Sequence, residues 1–280
     1  MKRILMFLFC LVIPRAIFCV QKVHFSVDDV NTVLKDVTEN EKKYDSLFEH
    51  EFFRYLKQLN DKYGMKVTLY CFYELGEFTI ADCTEKFKRE FSASSNWLKF
   101  GYHSYNHENL FNSNDGGGYF MFVETVLKFT GNEHCISRTV RLDRFQGDKE
   151  AIASISCMEE YGVQQLLTAD SSTRTSYYLS NSEIAELNKH EFYFDSVNDI
   201  EFYTTDFRFD DYRNFKEFWE ENKNESEICV FTHEWILHVP FRKNIVEFIV
   251  AKYRQFMVRK NISKFCKKVC DMKVTFVTTL

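Results

Sequence analysis

The sequence predicts an α/β fold, a distorted (β/α) barrel in one domain, and three observations carry that expectation. Short β-branched and aromatic runs alternate with helical stretches, the strand runs are almost wholly apolar, and the residues able to do chemistry fall at the C-terminal ends of those runs. Apolar strands separated by helices belong to parallel sheets covered on both faces. Parallel strands deliver their C-terminal ends to one side, where α/β barrels assemble their active sites.

The elements follow in order. Val23-His24-Phe25-Ser26-Val27 reads as a strand ending at the pair Asp28-Asp29. A polar segment follows, then a helix around 46–63, where Leu47, Phe48, Phe52, Tyr55, Leu56 and Leu59 recur at helical spacing. Residues 67–72 form a second strand, 84–91 a helix, and 98–102 a third strand that meets His103. Asp115-Gly116-Gly117-Gly118 reads as a loop and 120–130 as a helix. Strand 139–142, helix 149–161 and strand 165–170 continue the alternation, the last ending at Asp170. Helix 215–221, the apolar strand 228–232 ending at His233, an amphipathic helix over 246–257 and strand 273–277 complete it.

The composition fits one folded unit. Of 280 residues, 45% are hydrophobic, 17% aromatic and 28% charged, enough apolar material for a core and too much for disorder. Pro14 and Pro240 are the only prolines, which leaves little for a linker. The start, Met1-Lys2-Arg3 followed by the apolar run 4–13, has the pattern of a secretory signal peptide and is too short to span a bilayer. Residues 1–20 are therefore expected to be a leader and 21–280 the catalytic domain, secreted, periplasmic or at the cell surface, with no transmembrane segment. Loss of Lys2, Arg3 and Arg15 takes the formal net charge from −5 to −8, which argues against a nucleic-acid surface. Cys71, Cys83, Cys135, Cys157, Cys229, Cys266 and Cys270 remain, an odd number that allows at most three disulfides.

The candidate site starts from Asp28-Asp29. Side chains alternate along a strand, so adjacent carboxylates at its end cannot both sit cheaply in solvent. His103 and His107 stand four apart, and on a helical turn would share a face and grip one metal ion. Asp29, His103 and His107 give the three His or carboxylate ligands of a hydrolytic metal site. Asp28 could then take the proton of a water, and His233 protonate a leaving group. His24 and His238 have no partner visible in the sequence.

These residues resemble the polysaccharide deacetylases with a NodB-like domain, carbohydrate esterase family 4. Phe25-Ser26-Val27-Asp28-Asp29-Val30 is similar to the family's Thr-Phe-Asp-Asp-Gly motif, and His103–His107 matches its His-Ser/Thr-x-x-His motif. Arg141-Leu142-Asp143-Arg144 resembles the third motif in its arginine alone, Asp170 the fourth, and Phe231-Thr232-His233-Glu234 the fifth. The resemblance spans 25–234 and implies a barrel of the NodB type. By the same carry-over, Asp28 is the catalytic base and Asp29, His103 and His107 are the metal ligands. The resemblance further implies that Arg141 holds Asp28, that His233 is the general acid and that Asp170 tunes it. It implies a divalent metal, Zn2+ first with Co2+ or Ni2+ as alternatives, and an acetylated polysaccharide or oligosaccharide as substrate. Val30 replaces the motif's glycine, so the turn after Asp29 must be made differently. The alternatives are a silent carbohydrate-binding protein of the same fold and an amidohydrolase of a non-sugar amide.

Overall fold

The sheet is built outward from a buried central strand. A computed structural model describes residues 21–107, 116–169, 176–211, 215–241 and 243–280, so the leader and Asp170 lie outside the described residues. Strand β1 (Lys22–Asp28) is followed by helix α1 (Asn31–Glu39), the segment read as merely polar. Its Val33, Leu34 and Val37 are buried, and the Asn31 side chain clasps the backbone of Phe72 through two hydrogen bonds of 2.9 Å. Helix α2 (Glu51–Tyr63), strand β2 (Val67–Phe72) and the small hairpin β3 (Glu74–Leu75) and β4 (Phe78–Thr79) follow. Helix α3 (Lys88–Ala93) leads to β5 (Leu98–Ser104).

Helix α4 (Gly116–Thr130) corrects the loop expected over its three glycines. A Cβ at Gly118 would come 2.8 Å from the Tyr102 hydroxyl, so this first turn uses glycine to approach the aromatic core. Next come β6 (Thr139–Val140), α5 (Lys149–Ser156) and β7 (Gln165–Leu167), each shorter than its sequence pattern. Helix α6 (Asn181–His190) and strands β8 (Phe192–Asp195), β9 (Ile200–Tyr203) and β10 (Phe207–Arg208) fill a region the sequence left unassigned. Helix α7 (Phe215–Asn222), β11 (Glu227–His233), the single-turn α8 (Glu234–Leu237), the long α9 (Ile245–Asp271) and β12 (Thr275–Val277) end the chain. The amphipathic stretch 246–257 lies in α9, but its Val246, Ile249, Tyr253 and Phe256 face solvent, and burial concentrates from Val258 onward.

The architecture is mixed α/β with mostly parallel strands. One sheet has the order β10-β11-β1-β2-β5, every pair parallel, with β12 alongside the first half of β1. The second has the order β6-β7-β9-β8, parallel except for β8 against β9. A parallel bridge from Phe100 to Ile136 joins them next to β5, and residues 204–206 carry the chain from β9 in one sheet to β10 in the other. The seven described cysteines are all unpaired, so none of the disulfides allowed by the count is formed, Cys266 with Cys270 included. No described helix is long and apolar enough to cross a membrane.

Close packing inside this sheet makes Gly101 a sensitive position. A Cβ there would fall 2.3 Å from Cε1 and 2.5 Å from Cδ1 of Tyr70, which is fully buried and donates from its hydroxyl to the Thr139 carbonyl at 3.0 Å. Gly101→Ala is expected to destabilise the fold by about 1–3 kcal/mol, because the pinned ring cannot yield. A urea midpoint equal to that of the parent protein would contradict it.

Candidate active site

Parallel register brings the first two candidates together before any side chain is considered. Asp28 at the end of β1 stands directly opposite His233 at the end of β11. The turn after β1 is made by Asp29 at φ 64, a left-handed conformation that aspartate tolerates better than most residues. Val30 has φ −73 and is fully buried, so the glycine it replaces is not needed at that position.

Asp28 is almost completely buried and is held by Arg141, whose Nη1 donates to Oδ1 at 3.0 Å and Oδ2 at 3.3 Å. Arg141 follows β6 and is itself buried. It donates to the hydroxyls of Ser26 at 2.9 Å and Thr205 at 3.2 Å, and its guanidinium lies 4.2 Å from the centre of the Phe231 ring. A charge of either sign alone in this interior would be costly, and the pair neutralises it. Among the described residues His24 has both ring nitrogens buried without partners; burial, aided by the Arg141 charge, pushes its pKa down to about 3 and keeps it neutral.

His103 is not on a helical turn. β5 runs on to Ser104, and the register of β2 with β5 slips between Cys71 and Phe72, leaving His103 as the extra residue of a bulge. The bulge re-aims the ring. Its Nδ1 donates to the Arg141 carbonyl at 2.5 Å, and Nε2 faces Asp29 Oδ1 at 3.5 Å. Burial opposes a charge on His103, but the hydrogen bond to Asp29 and the charges of Asp28 and Asp29 outweigh it and raise its pKa to about 9. Burial likewise works against ionised Asp29, yet His103, His233 and His107 hold its carboxyl below the ordinary range. An anion facing an imidazole whose far nitrogen is anchored on a carbonyl is the donor arrangement of a divalent metal site. These two residues fit the implied ion.

His107 lies beyond the strand and is more exposed. Its Nδ1 sits 3.0 Å from Asp143 Oδ2, and an Arg144 Nη2 donates toward its Nε2 at 3.4 Å. The ring of Phe72 packs against both imidazoles, 4.8 Å from His103 and 5.7 Å from His107. All seven of Asp28, Asp29, His103, His107, Arg141, Asp143 and His233 line one cleft of about 220 Å³, together with Arg144, Phe145, Arg208 and Phe231. The structure thus gathers every described site residue the sequence named. It does not draw Asp29, His103 and His107 into a tight trio; among the described residues the ligand atoms of Asp36, His50 and His238 are the ones that lie within 4.8 Å of one another.

Among the described residues the carboxylate on His233 is Asp210, a residue outside the sequence-based expectation. His233 Nδ1 lies 3.2 Å from Asp210 Oδ2, and Arg208 donates to the same oxygen at 2.7 Å from Nη2 and 2.9 Å from Nε. The signal was a second Asp-Asp pair, Asp210-Asp211, just after a short aromatic strand, the same arrangement as Asp28-Asp29. Trp235 lies beside His233, with ring centres 5.6 Å apart and planes tilted 30°, and is half exposed, and the buried Glu234 next to it is pushed up to about 9 by burial and by Asp29 and Asp36.

Asp210 makes stability pH-dependent in a defined window. Burial would raise its pKa, but His233 and Arg208 lower it from 3.8 to about 2. A depressed carboxylate contributes stability above its unfolded pKa and loses it as pH falls toward the folded one, about 2 kcal/mol in full here and about half of it gone by pH 3. Asp210→Asn should therefore cost most above pH 5, with the gap to the parent narrowing from pH 4 downward. Urea unfolding across pH 3–7 tests this, and a gap independent of pH would contradict it.

No family model and no curated protein matches the chain. Among solved structures it is similar to the 4-alpha-glucanotransferase from Thermococcus litoralis, with a TM-score of 0.54 at 13% identity, over 92% of this chain and 39% of that one. This chain thus spans well under half of that enzyme, and at this identity the likeness is one of fold. A protein described as a "putative polysaccharide deacetylase" from Mycobacterium smegmatis aligns over 93% of this chain and 94% of its own, with a TM-score of 0.47 at 14% identity.

Proposed function

We propose that the chain is a secreted, metal-dependent hydrolase that removes N- or O-linked acetyl groups from a carbohydrate, on a distorted barrel of the NodB type. The observation that carries this reading is the convergence of Asp28, Asp29, His103, His107, Arg141 and His233 on one cleft at the C-terminal ends of parallel strands. Asp29 and His103, with His107 from the same cleft, are the residues that would hold the ion, Zn2+ by their donor chemistry. Bound there, such an ion polarises an acyl carbonyl and lowers the pKa of water.

The chain's own residues supply the rest. Asp28, held in place by Arg141 Nη1, accepts the proton of the attacking water. His233 is oriented by Asp210 through Nδ1 and leaves Nε2 to donate a proton to the departing amine or alkoxide. Trp235, exposed beside His233, offers a flat apolar face on which a sugar ring can stack.

One observation favours a second reading, a catalytically silent carbohydrate-binding protein: the His107 ring is engaged by Asp143. Metal content measured together with acetate release from acetylated chito-oligosaccharides and acetylxylan separates the two. The hydrolase reading expects acetate that stops on chelation and resumes with added Zn2+. A zinc-loaded protein that binds these substrates and releases none supports the binder.

A further inference from the structure

Outside the residues that line the cleft, three helices and their ends bring together side chains far apart in sequence. Asp36 lies on α1, His50 immediately precedes α2 and His238 immediately follows α8. One carboxylate oxygen, Asp36 Oδ2, faces both imidazoles: His50 Nε2 at 2.9 Å and His238 Nε2 at 3.6 Å. The two rings are 5.2 Å apart between centres and tilted 39°. We propose that Asp36, His50 and His238 form a second metal site, separate from the cleft, which takes a divalent ion such as Zn2+ and serves to hold structure.

The spacing is compatible with ligands: the 2.9 Å contact also has hydrogen-bond length, while the 3.6 Å contact is too long for one. Donors at bonding distance in a tetrahedral zinc shell stand about 3.3 Å from one another. The two measured separations bracket that value, and the longer one exceeds hydrogen-bond length. Two imidazoles and a carboxylate are a recognised zinc donor set, the one that leaves a fourth position for water, so an ion here would join the three elements while keeping that position open. That position is accessible here through Asp36, whose side chain is 32% exposed, whereas both histidines are buried. The other carboxylate oxygen is already used, since Asn40 donates to Oδ1 at 2.6 Å, which orients Oδ2 toward the histidines. Among the described residues His50 Nδ1 is buried without a hydrogen-bond partner, so Nε2 is the ring nitrogen that is engaged.

The location gives such an ion a job. α1 begins two residues after Asp29, and α8 begins directly after His233. An ion shared by Asp36 and His238 therefore ties together the two helices that leave the cleft. The joint reaches α9 as well, because Gln255 and Arg259 both donate to the Leu237 carbonyl, at 2.5 and 2.6 Å. Occupancy would fix the spacing between the metal-side and acid-side residues of the cleft without any ligand entering it.

The test counts zinc and does not depend on hydrolysis. An Asp29→Asn/His103→Gln chain, dialysed against Zn2+ and analysed by elemental analysis, is expected to retain one equivalent per chain. Adding His238→Gln should remove it. Chelation should lower the thermal midpoint of the double variant by several degrees and leave that of the triple variant unchanged. A folded double variant that holds no zinc, or a triple variant that keeps the equivalent, overturns the site. Where the double variant fails to fold, His238→Gln alone must bind one equivalent less than the parent chain, and equal zinc in the two overturns it.

Discussion

Asp28→Asn is expected to lower the rate of acetyl release by about 10²–10⁴-fold while leaving the bound metal in place, the range that a positioned general base contributes. Asp28 is placed for proton transfer more than for metal ligation. Its two oxygens are engaged by Arg141 Nη1, while Asp29, one residue on and turned by its left-handed φ, is the carboxylate that meets His103. Asparagine preserves the shape and still accepts one bond from Arg141, but cannot take a proton. The guanidinium loses its counter-charge, so the variant will also be less stable and must be assayed where it is fully folded. Full turnover by Asp28→Asn would remove Asp28 from its proposed role, and loss of metal would make it a ligand.

Arg141→Ala is the substitution with the largest expected effect on stability, about 3–5 kcal/mol. Both members of the Arg141–Asp28 pair are buried, at 1% and 2% exposure, so truncation strands a carboxylate in the core and opens a cavity between Phe231 and Tyr70. Lysine should not restore it, because a point charge cannot reach Asp28, Ser26 and Thr205 at once as the planar fork does. Denaturant unfolding at pH 7 checks both variants. An unchanged midpoint for Arg141→Ala would mean the pair is already solvated.

What the sequence made legible was governed by hydrophobic pattern. β1, β2 and β11 are buried along nearly their whole length, so their apolar runs stand out, and the chemical residues at their ends came with them. α1 was missed because Val33, Leu34 and Val37 sit among β-branched and polar residues of weak helix propensity. β8 to β10 were missed for a different reason. β8 is largely exposed and β10 is two residues long, so neither has a period to detect, and Asp210 went unassigned with them. The helical pairing of His103 with His107 failed on a bulge, which depends on how β2 and β5 register and not on the spacing of the two histidines. The Asp36, His50 and His238 cluster, drawn from one helix and the ends of two others across some two hundred residues, has no local signature at all.

The cleft lined by Asp28 and His233 is proposed to hold a catalytic divalent ion. The measurement that bears on it most directly is a crystal structure of the zinc-loaded protein with anomalous data at the zinc edge. The proposed function predicts an anomalous peak bonded to Asp29, His103 and His107, with His107 turned from Asp143 and an open position flanked by Asp28 and His233. A zinc-loaded crystal with no peak in this cleft, whether or not one appears at Asp36, His50 and His238, would contradict it.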